Sequence, residues 1–156
     1  MAGRSTDREQ VYDLMVRYGR CVDAHDHEGL IETVYTSDVV VIYEPWEGPI
    51  EPIVGVDAWR EFWGDGPPNW ESSHQFTNFA FEIGDDDGTY SCLALAQHWP
   101  RLAPFPAEVP LATVGLRYEV RVRRTADGWR IAEQRNVPLW CSGDMQVLTE
   151  FPGRTT

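Results

Sequence analysis

Two turn signals in the second half of the chain constrain its fold more than any other feature. Gly84-Asp85-Asp86-Asp87-Gly88 separates the run His74–Ile83 from the run Thr89–Trp99, and Thr125-Ala126-Asp127-Gly128 separates Leu111–Arg124 from Trp129–Val137. The flanking runs are long and rich in apolar and aromatic residues, so each turn closes an antiparallel hairpin. The first turn is acidic but lacks the bidentate Glu that ends an EF-type calcium loop, so it reads as a solvated turn. A Pro-rich connection from Pro100 to Pro110 joins the hairpins.

Helical patterns occupy the stretch before the hairpins. Thr6 or Asp7 can cap a helix with Glu9 or Gln10 in its first turn. Val11, Leu14, Met15, Tyr18 and Val22 then recur at three- and four-residue steps, predicting an amphipathic helix to about Ala24. Tyr12, Val16 and Gly19 widen the stripe, and Asp23 continues their line. A carboxylate near a helix C-terminus opposes the macrodipole, so helix stability does not account for Asp23. Asp26 reads as the N-cap of a second helix with Leu30, Ile31, Val34 and Tyr35 on its buried face. Val39–Tyr43 is a β-branched strand. Glu44–Ile53, with three prolines and a glycine, is a loop suited to covering a pocket. Asp57–Trp63 reads as a short helix with Trp59, Phe62 and Trp63 on its apolar side.

Helices followed by hairpins predict an α+β domain with helices on one face of an antiparallel sheet. The 156 residues fit a single domain, 1–156, with no internal repeat. The tail from Pro138, carrying Trp140, Leu148 and Phe151, is expected to pack over a pocket or a neighbouring subunit.

The net charge of −12 argues against a nucleic-acid partner and against an anionic membrane surface. All 13 basic residues are Arg, which excludes Lys-based Schiff chemistry. Cys21, Cys92 and Cys141 are too scattered for a zinc site or a disulfide framework and read as small buried hydrophobes. No apolar run has membrane-spanning length, and Met1–Asp7 lacks the apolar segment of a signal peptide, so a cytoplasmic location is expected.

Strand parity brings the candidate site together. Side chains alternate across a strand, so His74, Phe76, Asn78 and Ala80 should share one face, with Thr77, Phe79, Phe81 and Ile83 on the other. On the returning strand Cys92, Ala94, Ala96 and His98 oppose Leu93, Leu95 and Trp99. Both faces are largely apolar, so helices should cover one and a second subunit the other. The histidine-bearing faces are rich in small residues, which leaves volume unless Trp and Phe from the helices fill it. An isolated strand histidine is ordinarily structural. Volume beside two histidines and an unexplained carboxylate instead suits a small-molecule site. His25 and His27, in a polar helix–helix turn, read as surface residues, and with His74 they lack zinc spacing. Arg117, Arg121 and Arg123 form a solvated or intersubunit face. Arg135 and Asn136 could reach the pocket mouth. Ser142 lacks the elbow of a hydrolase nucleophile.

The segments Arg20-Cys21-Val22-Asp23-Ala24-His25-Asp26, Ser73-His74-Gln75-Phe76-Thr77-Asn78, and Gly115-Leu116-Arg117-Tyr118 through Asp127-Gly128-Trp129-Arg130-Ile131 resemble the SnoaL-like branch of the NTF2-like superfamily. The scytalone-dehydratase type is the nearest, over roughly Gln10 to Asn136. The resemblance implies a strongly curved antiparallel sheet forming a cone around a central pocket, with N-terminal helices closing its mouth. In that type a helix Asp pairs with a strand His that acts as general base, and Asp23 and His74 stand at those places. A second family His is matched by His98, and a Tyr that helps hold a pocket water by Tyr43. The family Tyr directly before the helix Asp is replaced by Val22. Dehydrochlorinase and bile-acid dehydratase relatives share the pair, so the substrate stays open. Tyr18, Trp46, Phe76, Asn78, Ala96, Arg135 and Trp140 are the candidate substrate-binding residues.

The function implied is a cofactor-independent, metal-free dehydratase, cyclase or isomerase. It would act on an apolar, ring-containing metabolite, polyketide- or steroid-like, within a homo-oligomer, trimer or dimer. A neutral His must present one nitrogen as acceptor, and Asp23 accepting from the other would fix that tautomer. The alternative is a non-catalytic binding or assembly module on the same fold. An epoxide hydrolase would want a denser Asp/Arg/Asp cluster than Arg135 supplies.

Overall fold

The computed structural model describes residues 6–44, 50–101 and 109–148. Helix α1 is Asp7–Asp23 and α2 is His27–Thr33, followed by β1 Tyr35–Tyr43, β2 Ile53–Val54 and α3 Val56–Trp63. Four long strands follow: β3 Trp70–Ile83, β4 Asp87–Pro100, β5 Ala112–Thr125 and β6 Gly128–Gly143, then a 3₁₀ turn Met145–Leu148. Thr6 caps α1 in a capping box, its hydroxyl accepting from the Glu9 N–H at 3.3 Å while the Glu9 carboxylate accepts from the Thr6 N–H at 2.6 Å. Asp26 caps α2 by accepting from the Gly29 N–H at 2.8 Å. Val34 and Tyr35, expected on the second helix, instead lead into β1, which begins at Tyr35.

The six strands form one curved sheet in the order β2-β1-β6-β5-β4-β3. The pairs β3–β4 and β5–β6 are antiparallel hairpins, as the two turns predicted, and β4 and β5, joined by the Pro-rich connection, are antiparallel partners as well. The sheet departs from a purely antiparallel one at β1, which runs parallel to β6. These two strands are far apart in sequence, so no tight turn dictates their relative direction.

The main core lies between the helices and the sheet. Val11, Leu14 and Met15 of α1, Leu30 of α2 and Trp59 of α3 meet Val39, Val41 and Ile131 there, all nearly inaccessible. A smaller cluster joins Trp70, Ala96, Ala112 and Val114 to Leu148 of the 3₁₀ turn, and β6 runs on to Gly143, so residues 138–143, expected to begin the tail, belong to that strand. Phe151 lies outside the described residues. Cys92 is buried, but Cys141 is exposed, contrary to the expectation of three buried thiols. Arg117, Arg121 and Arg123 of β5 lie in solvent, paired with Glu119, Glu133 and Asp38 respectively. Among the described residues no helix is long and apolar enough to cross a membrane.

A bulge in β3 overturns part of the predicted parity. Thr77 pairs with Leu93 and Ala80 with Ser91, so Asn78 and Phe79 together oppose Cys92. Asn78 takes φ 56°, a left-handed conformation that Asn adopts more readily than most residues. Beyond it the alternation reverses. Phe79 packs on Tyr12 at 5.1 Å and Phe81 on Tyr90 at 5.8 Å, on the helix side with Phe76, while Asn78 and Ala80 are exposed.

Candidate active site

Two elements converge on the carboxylate–histidine pair predicted from sequence. Asp23 is the last residue of α1, and Ser72 and His74 lie two apart on β3, so both face the helix. Asp23 Oδ1 is 2.7 Å from His74 Nδ1 and accepts from the Ser72 hydroxyl at 2.8 Å, while Oδ2 accepts from the His74 backbone N–H at 3.0 Å. Burial alone would push the Asp23 carboxyl up. The hydrogen bonds from the His74 ring, its backbone and Ser72 outweigh burial and hold the carboxyl below its ordinary value. Because a carboxylate accepts, Nδ1 carries the proton and Nε2 is left as the acceptor.

His74 forms part of the wall of a cavity of about 860 Å³, open mouth included. Asp23 itself does not line it. The carboxylate lies on the far side, in a shallow groove with Tyr12, Val16, Gly19, Arg20 and Phe76.

His98, opposite Ser72 in the β3–β4 register, sits edge-on to the His74 ring at 5.7 Å and to Trp70 at 5.0 Å. It is buried, and its Nδ1 has no partner among the described residues. Burial, with His74 beside it, pushes its pKa down to about 3, so the ring is neutral at neutral pH. Tyr43 lines the cavity with its ring stacked on Phe62 at 5.8 Å, and burial raises its phenol. Tyr18 also lines it, its phenol pushed up to about 12 by burial.

The structure moves two other histidines into the site. His25 and His27 both line the cavity, which corrects their reading as surface residues. The α1–α2 turn folds inward because His25 takes φ 55°, and its side chain, 7% exposed, packs edge-on to Trp70 at 5.5 Å. His25 Nε2 is 3.4 Å from a Glu71 oxygen. His27 stacks on Trp63 at 5.1 Å, with both ring nitrogens buried and without a partner among the described residues, and burial lowers its pKa. A signal existed in His25-Asp26-His27: Asp26 must turn toward the α2 backbone to cap it, which directs its neighbours elsewhere.

Several expected contacts do not reach the cavity. Phe76 stacks beside His74 at 6.1 Å but lines the groove with Asp23. Ala96 is fully buried within the smaller core cluster, and Asn78 is the exposed bulge residue. Arg135 turns away from the cavity and ion-pairs with Glu44, whereas its neighbour Asn136 faces inward. Trp140 is on the outer sheet face, 51% exposed, its indole lying where Gly115 leaves no side chain. Trp46 lies outside the described residues. Gln134, missed from sequence, is fully buried and hydrogen-bonded to Tyr18 and Asn136. Among the described residues no group of three His, Cys, Asp or Glu could hold a metal ion.

The family model for the SnoaL-like domain matches residues 3–135. The chain belongs to the SnoaL-like domain family. Solved structures agree with that membership. A proposed aromatic ring hydroxylase from Novosphingobium aromaticivorans is 25% identical, with a TM-score of 0.71 over 90% of this chain and 95% of its own. A proposed scytalone dehydratase from the same organism is 18% identical, with a TM-score of 0.71 over 96% and 95% of the two chains. A type 2 hexachlorocyclohexane dehydrochlorinase is 14% identical, with a TM-score of 0.70 over 87% of each. The latter two likenesses establish the fold, which is the NTF2-like one. No curated protein matches the chain.

Proposed function

We propose that this SnoaL-like protein is a cofactor-independent dehydratase, cyclase or isomerase in which the His74–Asp23 pair abstracts a proton from an apolar, ring-containing metabolite of polyketide or steroid type. The observation that carries this reading is the Asp23–His74 contact at 2.7 Å, with the histidine at the wall of a cavity lined by Trp59, Trp63, Trp70, Val114 and Leu116. The likeness to a proposed scytalone dehydratase and to a dehydrochlorinase supports an elimination or a related proton transfer.

His74 Nε2 takes a proton from a carbon beside a ring carbonyl, and the C–H electron pair moves onto the carbonyl oxygen as an enolate. Asp23 stabilises the imidazolium so formed. In dehydration the enolate re-forms the carbonyl as a double bond closes to the neighbouring carbon, whose hydroxyl leaves with the imidazolium proton as water. In isomerisation that proton returns to a different carbon. His98, neutral and beside His74, and Tyr43 are proposed to hold the departing oxygen or a water. The apolar wall raises the strength of each of these interactions by excluding solvent.

An epoxide-hydrolase reading loses its support, because Arg135 faces away and no arginine lines the cavity among the described residues. We further infer one domain over the whole chain, a cytoplasmic location, and a dimer or trimer joined through the outer sheet face, where Leu93, Leu139 and Trp140 are exposed. The test of the catalytic reading is α-proton exchange on 2-tetralone in D₂O, followed by NMR. Wild-type protein should accelerate exchange and His74→Ala should not; equal rates in the two refute the reading.

A further inference from the structure

The Asn136 amide carries a donor that nothing in the described protein satisfies. Asn136 is 3% exposed on β6, yet it forms part of the cavity wall. Gln134, two residues earlier on the same face and fully buried, donates from Nε2 to the Tyr18 phenol oxygen and to Asn136 Oδ1, each at 3.0 Å. Tyr118, equally buried, is hydrogen-bonded to Tyr18 at the other end. The chain of contacts turns Asn136 Oδ1 toward Gln134 and leaves two polar atoms buried without a partner among the described residues, Gln134 Oε1 and Asn136 Nδ2, of which only the Asn136 amide belongs to a residue lining the cavity. A buried amide N–H is costly to leave unmade, and this one is held in place by a network of side chains that are themselves locked by packing.

We propose that Asn136 Nδ2 binds the carbonyl oxygen of the substrate, which makes the substrate class a cyclic ketone. The donor needs an acceptor, and the cavity around it offers an apolar wall of Trp, Val and Leu that suits the ring carrying that oxygen. Asn136 on β6 and His74 on β3 approach the cavity from strands separated by β4 and β5, so a ring spanning the cavity meets both. Once His74 removes the α-proton, the same oxygen becomes an enolate, and its bond from Asn136 strengthens as charge develops. The enolate half of this inference rests on the proposed general base. The binding half does not.

The test compares 2-tetralone with tetralin, two fused-ring probes that differ by the carbonyl oxygen, using the fluorescence of the cavity tryptophans to follow binding. The wild-type protein should bind 2-tetralone about tenfold more tightly than tetralin, the size of one well-made neutral hydrogen bond. In Asn136→Leu the preference should vanish while tetralin binds as well as before. A preference that survives in Asn136→Leu, or its absence from the wild type, overturns the proposal. Should circular dichroism show Asn136→Leu misfolded, Asn136→Ala replaces it: the shorter apolar side chain offers no donor, so a retained preference again overturns the proposal. Absence of proton exchange in a wild-type protein that keeps the preference would refute the base and support the Asn136 assignment.

Discussion

Asp23 holds His74 at two points, accepting from the imidazole Nδ1 at 2.7 Å and from the backbone N–H at 3.0 Å. A ring tied to a carboxylate that is also bound to its own main chain cannot swing without breaking both bonds. The end of α1 is thereby docked to β3, and the Ser72 hydroxyl at 2.8 Å adds a third tie. The pair serves fold and site together.

Loss of either partner should separate these two roles. His74→Ala and Asp23→Asn should each slow 2-tetralone exchange by ~10²–10⁴-fold, the usual range for general-base help. Asp23 lies behind His74 rather than in the cavity, so Asp23→Asn should leave probe binding nearly unchanged. Circular dichroism should show the fold retained. Exchange at wild-type rate in both variants refutes the base.

Acid should destabilise the protein through His98. Its folded pKa is pushed down to about 3 from an ordinary 6.5, so the unfolded chain takes up the proton first. Stability from the neutral ring is therefore complete above pH 6.5 and falls as the pH drops from 6.5 toward 3. His27 contributes with the same sign. Asp23 acts at lower pH: its carboxyl is depressed from 3.8, so its stabilisation is lost as pH falls through the still lower folded value. Melting curves between pH 4 and 8 should show a shallower slope for His98→Phe than for wild type. Superimposable slopes would contradict the assignment.

Gly19 marks where α1 approaches β3 most closely. A Cβ there would stand 2.7 Å from Phe76 Cε2, nearer than packed atoms allow. Gly19→Ala gains up to about 1 kcal/mol of helix propensity, but overpacking typically costs about 1–3 kcal/mol. Urea unfolding should show a net loss of about 1 kcal/mol, with slower exchange because the helix carries Asp23 away from His74.

His27 should prove a liability to stability. Both of its ring nitrogens are buried against Trp59 and Trp63 without partners among the described residues. Replacing it with an apolar side chain removes that unmet cost, so His27→Leu should raise stability by about 1 kcal/mol. Thermal unfolding at neutral pH checks the sign; a lower melting temperature would show that a polar partner is being missed.

Helix caps, hairpin turns and apolar periodicity were legible along the chain because each is settled by contacts within a few residues. Thr6 with Glu9, Asp26 with Gly29, and the turns before Gly88 and Gly128 are of this kind. Asp23 stood out for a related reason: local helix energetics did not explain it, and a remote partner, His74, does. Which face a residue presents is a different matter wherever alternation breaks. The bulge at Asn78 let Phe79 and Phe81 join the helix side, and nothing in the β3 pattern announced it. The same holds for Arg135 and Asn136: adjacent residues must point opposite ways, but the pairing of β6 with β1 and β5 settles which one meets the cavity. His25 and His27 were polar residues in a turn until Trp63 and Trp70 gave their rings an apolar surface to cover. Local chemistry set the elements and nominated the pair; packing between elements distant in sequence chose the remaining walls of the cavity.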